Sequence, residues 1–414
     1  MSNAIAFYGI GSVPLQLHAF PFLPNLLMAW LVSFLVCIVI VATQRWHGRF
    51  SLDSDTGGVQ KVHKKSVPRT GGLALCAGVL AAACVDAFAT PTASAAGQAG
   101  TGMLLLLIAS APAFSSGVME DLTKAVTPKK RLLAILASAC LAVWLLGASL
   151  PRVDVWGLDA MLVFVPFSVA MTVFAVAGIT NSINIIDGFH GVAGIAIVII
   201  LTGMGIIAWR CGDMLIVQLA ATAIGATIGF LMLNYPTGRL FMGDGGAYLL
   251  GFLAAEIAIL TLMRNPGINA WQILAIYAYP VIEVLFSIYR RTMIYGTQAN
   301  APDRLHLHSL FYRRCARQRI RARKHPWMCN AGVACFIAAW IGSATALSLF
   351  FGDRIPAAFV LVLFQVVLYV AVYMRLVRGH WGHCRHPAVI LGLRPQPRHA
   401  DVDGALAGSP FAVG

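Results

Sequence analysis

The sequence predicts an all-α protein, a polytopic membrane bundle of about eleven transmembrane helices with its N-terminus outside and its C-terminus cytoplasmic. Three observations lead there. Of the 414 residues, 59% are hydrophobic and only 11% charged, with a mean hydropathy of +0.78, whereas a soluble domain carries about 25% charged residues. Apolar runs recur along nearly the whole chain at lengths near the roughly 20 residues that cross a hydrocarbon core. When those runs alternate across a bilayer, the basic residues between them collect on one side.

The runs cover residues 24–43, 71–90, 101–116, 131–150, 160–180, 191–209, 214–234, 245–263, 270–290, 331–351 and 356–374. No Lys or Arg precedes the first, so it reads as a permanent span rather than a cleaved signal peptide. The run at 101–116 is the shortest. With the bilayer as solvent, one helical bundle over residues 1–376 is expected rather than several soluble domains. Residues 377–414, with their PQPRH stretch and Gly/Ala-rich end, read as a disordered cytoplasmic tail.

The formal net charge is +14. Its distribution argues against nucleic acid. Of the 30 basic residues, 26 lie in segments assigned to one face, and the other face has only Arg152, Arg210, Arg264 and Arg354. By the positive-inside rule the rich face is cytoplasmic. The strip RRCARQRIRARK at 313–324 then lies beside anionic lipid headgroups. The nine cysteines include no CxxC pair, and most, such as Cys37, Cys76, Cys84, Cys140, Cys211 and Cys335, fall inside spans as small apolar residues.

Ionisable residues in or at the edge of a membrane are costly and mark functional places. Five polar stretches fall at cytoplasmic span ends: 61–72 (KVHKKSVPRTGG), 117–131 (GVMEDLTKAVTPKKR), 181–191 (NSINIIDGFHG), 234–251 (NYPTGRLFMGDGGAYLLG) and 303–308 (DRLHLH). Their gathering on one side is the main reason to expect an active site there. Glu120 and Asp121 end the third span, either as a solvated helix end or as a pair in which one carboxylate acts and the other orients it. Asn181, Asn184 and Asp187 are spaced by three and share one helical face. Each alone reads as a cap; together they are oxygen ligands suited to a hard cation such as Mg²⁺.

Asp244 stands between glycines at the start of a span, where backbone N–H groups favour an anion, although Asp-Gly is also a common turn. Phe241 reads as a base-stacking ring or as an interfacial anchor. His306 and His308, beside Arg304, lack the further ligands of a zinc site and suit diphosphate better. The run at 380–386 with three histidines and a cysteine is given no role.

In their order, these stretches resemble the polyprenyl-phosphate N-acetylhexosamine-1-phosphate transferases (glycosyltransferase family 4), over roughly residues 61–314. The family pattern is carried by His63, Pro68, Arg69, Gly71 and Gly72, by the acidic pair after a Gly, by Asn181, Asn184, Asp187 and Gly188, by GDGG at 243–246 and by the His-x-His loop. The resemblance implies transfer of a sugar 1-phosphate from a UDP-amino sugar to undecaprenyl phosphate in the cell inner membrane, with UMP released, Mg²⁺ as cofactor and Mn²⁺ as its substitute. It implies metal ligands at Asn184 and Asp244, and catalytic carboxylates at Asp121 and Asp187 supported by Glu120. It also implies substrate contacts from His63, Lys64, Arg69, Asn181, Asn234, Phe241, Arg304, His306 and His308, the uridine falling to Asn234 and Phe241.

The PRTGG and HLH stretches resemble the branch that starts O-antigen, common-antigen, teichoic-acid or capsule glycans. Glu120, His190 and Glu283 depart from the commoner family residues. The expected partners are the UDP-sugar, the polyprenyl phosphate and the bilayer, no nucleic acid, and a second copy of the chain as a homodimer. The rival reading is a secondary transporter or lipid flippase, which places its charges near the midplane. Here that region holds only Asp86, Glu256 and Glu283 as candidates.

Overall fold

The computed structural model describes residues 20–51, 67–91, 94–294, 296, 305–316 and 327–378. His63, Lys64, Arg304, the N-terminal residues and the tail with its histidine run lie outside the described residues. All regular structure among the described residues is helical.

Among the described residues, eleven long helices correspond one to one with the eleven apolar runs. They are α1 (Leu23–Ser51), α2 (Gly71–Ala89), α3 (Ala95–Thr123), α4 (Pro128–Leu146), α6 (Val165–Ile186), α7 (Val192–Arg210), α8 (Met214–Asn234), α9 (Gly243–Arg264), α10 (Ala270–Tyr289), α12 (Trp327–Phe351) and α13 (Ile355–Arg378). Short helices α5 (Leu158–Leu162) and α11 (Leu307–Phe311) lie between them, and π-helical turns at Arg290–Ile294 and Tyr312–Ala316 extend α10 and α11. Ten of the long helices are apolar and long enough to cross a membrane. The eleventh, α4, falls short by composition because Lys129, Lys130 and Arg131 occupy its first turn. Its 19 residues still span about 28 Å.

Two boundaries move from the sequence reading. The third helix is not short. Gly, Ser and Thr at its ends lower the local hydropathy, but Ser94 caps the start by accepting the Gly97 N–H at 3.1 Å. The other end closes with Lys124 in the left-handed region, its N–H donating to the Glu120 carbonyl. The fifth span begins at Val165 rather than near 160. The chain first makes the separate turn of α5, is extended at Phe164, and restarts with Pro166 in the first turn of α6, where a missing N–H costs nothing.

Helix α9 is the axis of the bundle. It packs against α2, α3, α4, α6, α7 and α8 and is buried along nearly its whole length, whereas α1 and α13 expose most of theirs to the surroundings. The arginines of the sparsely charged end tie loops together. Arg264 makes a two-pronged contact with Asp213 (2.8 and 3.0 Å), Arg152 donates to the carbonyls of Asn265 and Pro266, and Arg210 donates to that of Leu349. At the opposite end the start of α2, the end of α3, the starts of α4 and α9 and the end of α6 come together, as an up-and-down bundle requires.

Candidate active site

The centre of this end is the joint between α3 and α9. Asp121, in the last turn of α3, accepts the backbone N–H of Asp244 at 2.9 Å and that of Gly245 at 3.0 Å. Those are first-turn amides of α9, which have no partner within their own helix, and a carboxylate there also meets the positive end of the helix dipole. The approach is possible because two motif glycines lack side chains. A Cβ on Gly117 would come within 2.5 Å of the Gly245 nitrogen, and one on Gly72 within 2.4 Å of the Gly246 nitrogen. The GG of PRTGG and the Gly before the acidic pair are thus where α2 and α3 touch the backbone of α9.

Asp244 emerges from this joint ringed by polar groups. The Asn184 amide nitrogen lies 3.1 Å from its Oδ1, Arg131 of α4 pairs with Oδ2, and Arg69 stands 3.5 Å from Oδ1 and also 3.5 Å from Asp121 Oδ1. Asp187 caps the C-terminus of α6 beside them. Burial pushes its carboxyl well above the usual carboxylate range; the Arg69 guanidinium opposes that, and the negative charges of Asp244 and Asp121 add to it. Once ionised, such a carboxylate is a better proton acceptor than an ordinary Asp. Arg131 is the residue that sequence reasoning missed here, since a Lys-Lys-Arg run at a helix start reads as ordinary cytoplasmic charge.

The PRTGG stretch is strapped to the GDGG stretch by three backbone hydrogen bonds of 2.9 Å: Phe241 N–H to the Pro68 carbonyl, Gly71 N–H to the Phe241 carbonyl and Gly72 N–H to the Met242 carbonyl. This fixes Arg69 over the two carboxylates. Phe241 stacks on His190 with ring centroids 5.1 Å apart and 19° between planes, so its ring already has an aromatic neighbour.

Two sequence-predicted contacts have other work. Asn234 is buried, and both ends of its amide are used by backbone: Oδ1 accepts the Gly191 N–H at 2.7 Å and Nδ2 donates to the Leu240 carbonyl at 2.8 Å. It ties the turn after α6 to the turn before α9. Asn181 donates to the Ala177 carbonyl of its own helix at 3.1 Å. Of the three residues spaced by three, only Asn184 and Asp187 reach the carboxylates. Glu120 Oε2 accepts the Val126 N–H at 2.9 Å and shapes the α3–α4 turn, with its charge still felt by Arg131.

His306 and His308 are buried at the start of α11 with their rings parallel, centroids 5.4 Å apart. His308 meets the edge of Phe189 and abuts Gly188, the residue after Asp187. The histidine segment therefore borders the carboxylate cluster. Among the described residues no three His, Cys, Asp or Glu side chains are gathered as a ready metal cage. What the cluster offers a cation is Asp244 with the Asn184 amide at its side, an oxygen donor set without sulfur or imidazole. That chemistry suits a hard divalent ion that keeps several waters.

A model of the family described as Glycosyl transferase family 4 matches residues 103–262, which include Glu120, Asp121, Asn184, Asp187 and Asp244. A probable undecaprenyl-phosphate N-acetylglucosaminyl 1-phosphate transferase of Bacillus subtilis is 29% identical over 295 residues, covering 69% of this chain and 76% of the relative. A decaprenyl-phosphate N-acetylglucosaminephosphotransferase of Mycobacterium tuberculosis is 28% identical over 325 residues, 72% of this chain and 76% of the relative. A phospho-N-acetylmuramoyl-pentapeptide-transferase of Streptococcus thermophilus is 35% identical over 117 residues, 28% of this chain and 33% of that relative. Five ordered motifs, four of them meeting at one end of the helical bundle, thus accompany a similarity to glycosyl transferase family 4 and to polyprenyl-phosphate N-acetylglucosamine-1-phosphate transferases.

Proposed function

We propose that the chain transfers an N-acetylhexosamine 1-phosphate from a UDP-sugar to undecaprenyl phosphate, giving undecaprenyl-diphosphate sugar and UMP, as the first membrane step of a cell-envelope glycan. An oxygen of the lipid phosphate forms a bond to the sugar-bearing phosphorus. The bond from that phosphorus to the oxygen bridging the two phosphates breaks, and that oxygen leaves with its electron pair as part of UMP. The observation that carries this reading is the meeting of Asp121, Asp187, Asp244 and Asn184 with Arg69 and Arg131 at one end of the bundle. Such a site can bind a diphosphate, carry its charge and hold a proton.

The residues divide the work. Arg69 and Arg131 supply fixed positive charge for the phosphates. Asp121, committed to the N-terminus of α9, holds Asp244 in place. Asp187 is the better placed proton acceptor, and His306 and His308 border the donor. A divalent cation, Mg²⁺ with Mn²⁺ as substitute, would be held by Asp244 and Asn184 and would neutralise charge on the diphosphate. The 26-to-4 distribution of basic residues supports a cytoplasmic position for this end in the inner membrane. The length matched by the Bacillus relative, against the short match to the pentapeptide transferase, supports the branch outside peptidoglycan synthesis.

The test is direct. Purified protein is incubated with undecaprenyl phosphate, Mg²⁺ and radiolabelled UDP-N-acetylglucosamine or UDP-N-acetylgalactosamine. The expected result is label in the organic phase and an equal amount of UMP. Release of UMP without labelled lipid, or no reaction with either sugar nucleotide, rejects the assignment.

A further inference from the structure

Glu283 lies on α10 about two turns before the π-helical turn, and it is completely buried. By position alone it is a mid-span acid. Its hydrogen bonds give it a specific task. His306 Nδ1 lies 2.9 Å from Oε1, the Leu307 backbone N–H donates to Oε1 at 3.2 Å and to Oε2 at 3.3 Å, and the Tyr279 hydroxyl donates to Oε2 at 3.4 Å. A buried carboxylate is tolerable only with partners, and here two of its three partners come from the histidine segment.

The contacts continue outward. The His306 ring lies on that of His308 with 6° between planes, and His308 Nε2 abuts Gly188, where even a Cβ would come within 3.2 Å. Gly188 follows Asp187. From the other side Arg290 donates to the Leu305 carbonyl at 2.7 Å and to the Tyr373 hydroxyl at 2.6 Å. The segment is thus gripped from one helix by a carboxylate and a guanidinium seven residues apart.

We propose that Glu283 is a positioning residue for the transfer reaction, docking the His306-Leu307-His308 segment against Asp187 and Gly188 so that the nucleotide diphosphate meets two preplaced imidazoles. This rests on the transferase reading above. Glu283 touches no reacting atom and acts through His306. By holding Nδ1 it sets the orientation of that ring, and stacking passes the orientation to His308. The Glu side chain is long enough to span from inside α10 to the segment.

The experiment uses the full-length protein in lipid nanodiscs with UDP-N-acetylglucosamine and undecaprenyl phosphate. Glu283→Gln keeps the shape and removes the charge shared by the donors. The expected result is a fall of roughly ten- to a hundredfold in kcat/KM, with KM for the UDP-sugar raised and the thermal midpoint unchanged. Glu283→Asp restores the charge and should recover part of the loss. His306→Gln should match Glu283→Gln, and the double variant should be no worse than the weaker single one, because both break the same contact. Losses that multiply, or a Glu283→Gln enzyme with wild-type constants, overturn the proposal.

Amide exchange provides a readout independent of turnover. Glu283→Ala should speed exchange in residues 307–311 about tenfold or more while α9 stays protected; unchanged exchange there also overturns the proposal. A wild-type protein that transfers no sugar phosphate would reject the transferase reading alone, and exchange would still decide whether Glu283 docks the segment.

Discussion

Asp121 caps the helix that carries Asp244: the last turn of α3 supplies both acceptors for the first free amides of α9, at 2.9 and 3.0 Å. Asp121→Asn replaces one acceptor oxygen with an NH₂ group that faces an N–H. The expected stability cost is about 1 kcal/mol, the usual worth of a cap. Turnover should fall about a hundredfold or more, because Asp244 shifts with the helix and a displacement near an ångström is that costly. Lipid-phase transfer and a thermal melt measure both effects. Wild-type turnover in this variant would separate Asp121 from the chemistry.

Asp244 is the meeting point of Asn184, Arg69 and Arg131. Excess EDTA should abolish transfer, Mg²⁺ should restore it and Mn²⁺ should restore part. Asp244→Asn removes the charged ligand and should lose nearly all turnover at any Mg²⁺ concentration. A variant rescued by more Mg²⁺ would keep the metal but move its main ligand elsewhere.

Glu120 can be told apart from its neighbour by what it holds. Its carboxylate accepts the Val126 N–H, and Gln offers the same oxygen. Glu120→Gln should therefore stay within about threefold of wild type, whereas Glu120→Ala should cost about 1 kcal/mol in stability through the lost acceptor. A dead Glu120→Gln enzyme would give this carboxylate a direct part in the reaction.

Two glycines of the same helix make opposite forecasts. Gly117→Ala would put a Cβ 2.5 Å from backbone atoms of Gly245, and backbone cannot step aside, so α3 and α9 must separate. Loss of activity and a clear drop in thermal midpoint are expected. Gly102 has nothing within 4 Å of its Cβ position, and Gly102→Ala should be neutral or gain up to about 1 kcal/mol from helix propensity. Equal behaviour of the two would contradict the close approach at the joint.

Hydropathy made the eleven helices legible, because lipid asks for little beyond length and apolarity. Boundaries were blurred where polar residues serve the helix itself, as with Ser94 and Lys124 at the ends of α3. The acidic members of the site were legible because acids at span ends have few ordinary explanations. Partners were harder. Arg131 reaches Asp244 across 113 residues of chain, and nothing in a Lys-Lys-Arg run marks which cation turns inward. Asn234 shows the converse: its position was legible, but its amide went to two backbone groups that only the folded turns bring within reach. Glu283 looked like an isolated acid because two of its three partners arrive from a segment more than twenty residues away.

The enclosure of α9 bears on how the enzyme could be diversified. A helix walled in by six others has no free side on which to absorb a new residue, so the floor of the candidate site is a fixed part shared by any variant of the scaffold. Changes of sugar or lipid have to be written in the segments laid around its N-terminus: the turn holding Gly188 and His190, the turn leading to Phe241, and the histidine segment. A library aimed at new donors belongs there, with the axis left untouched.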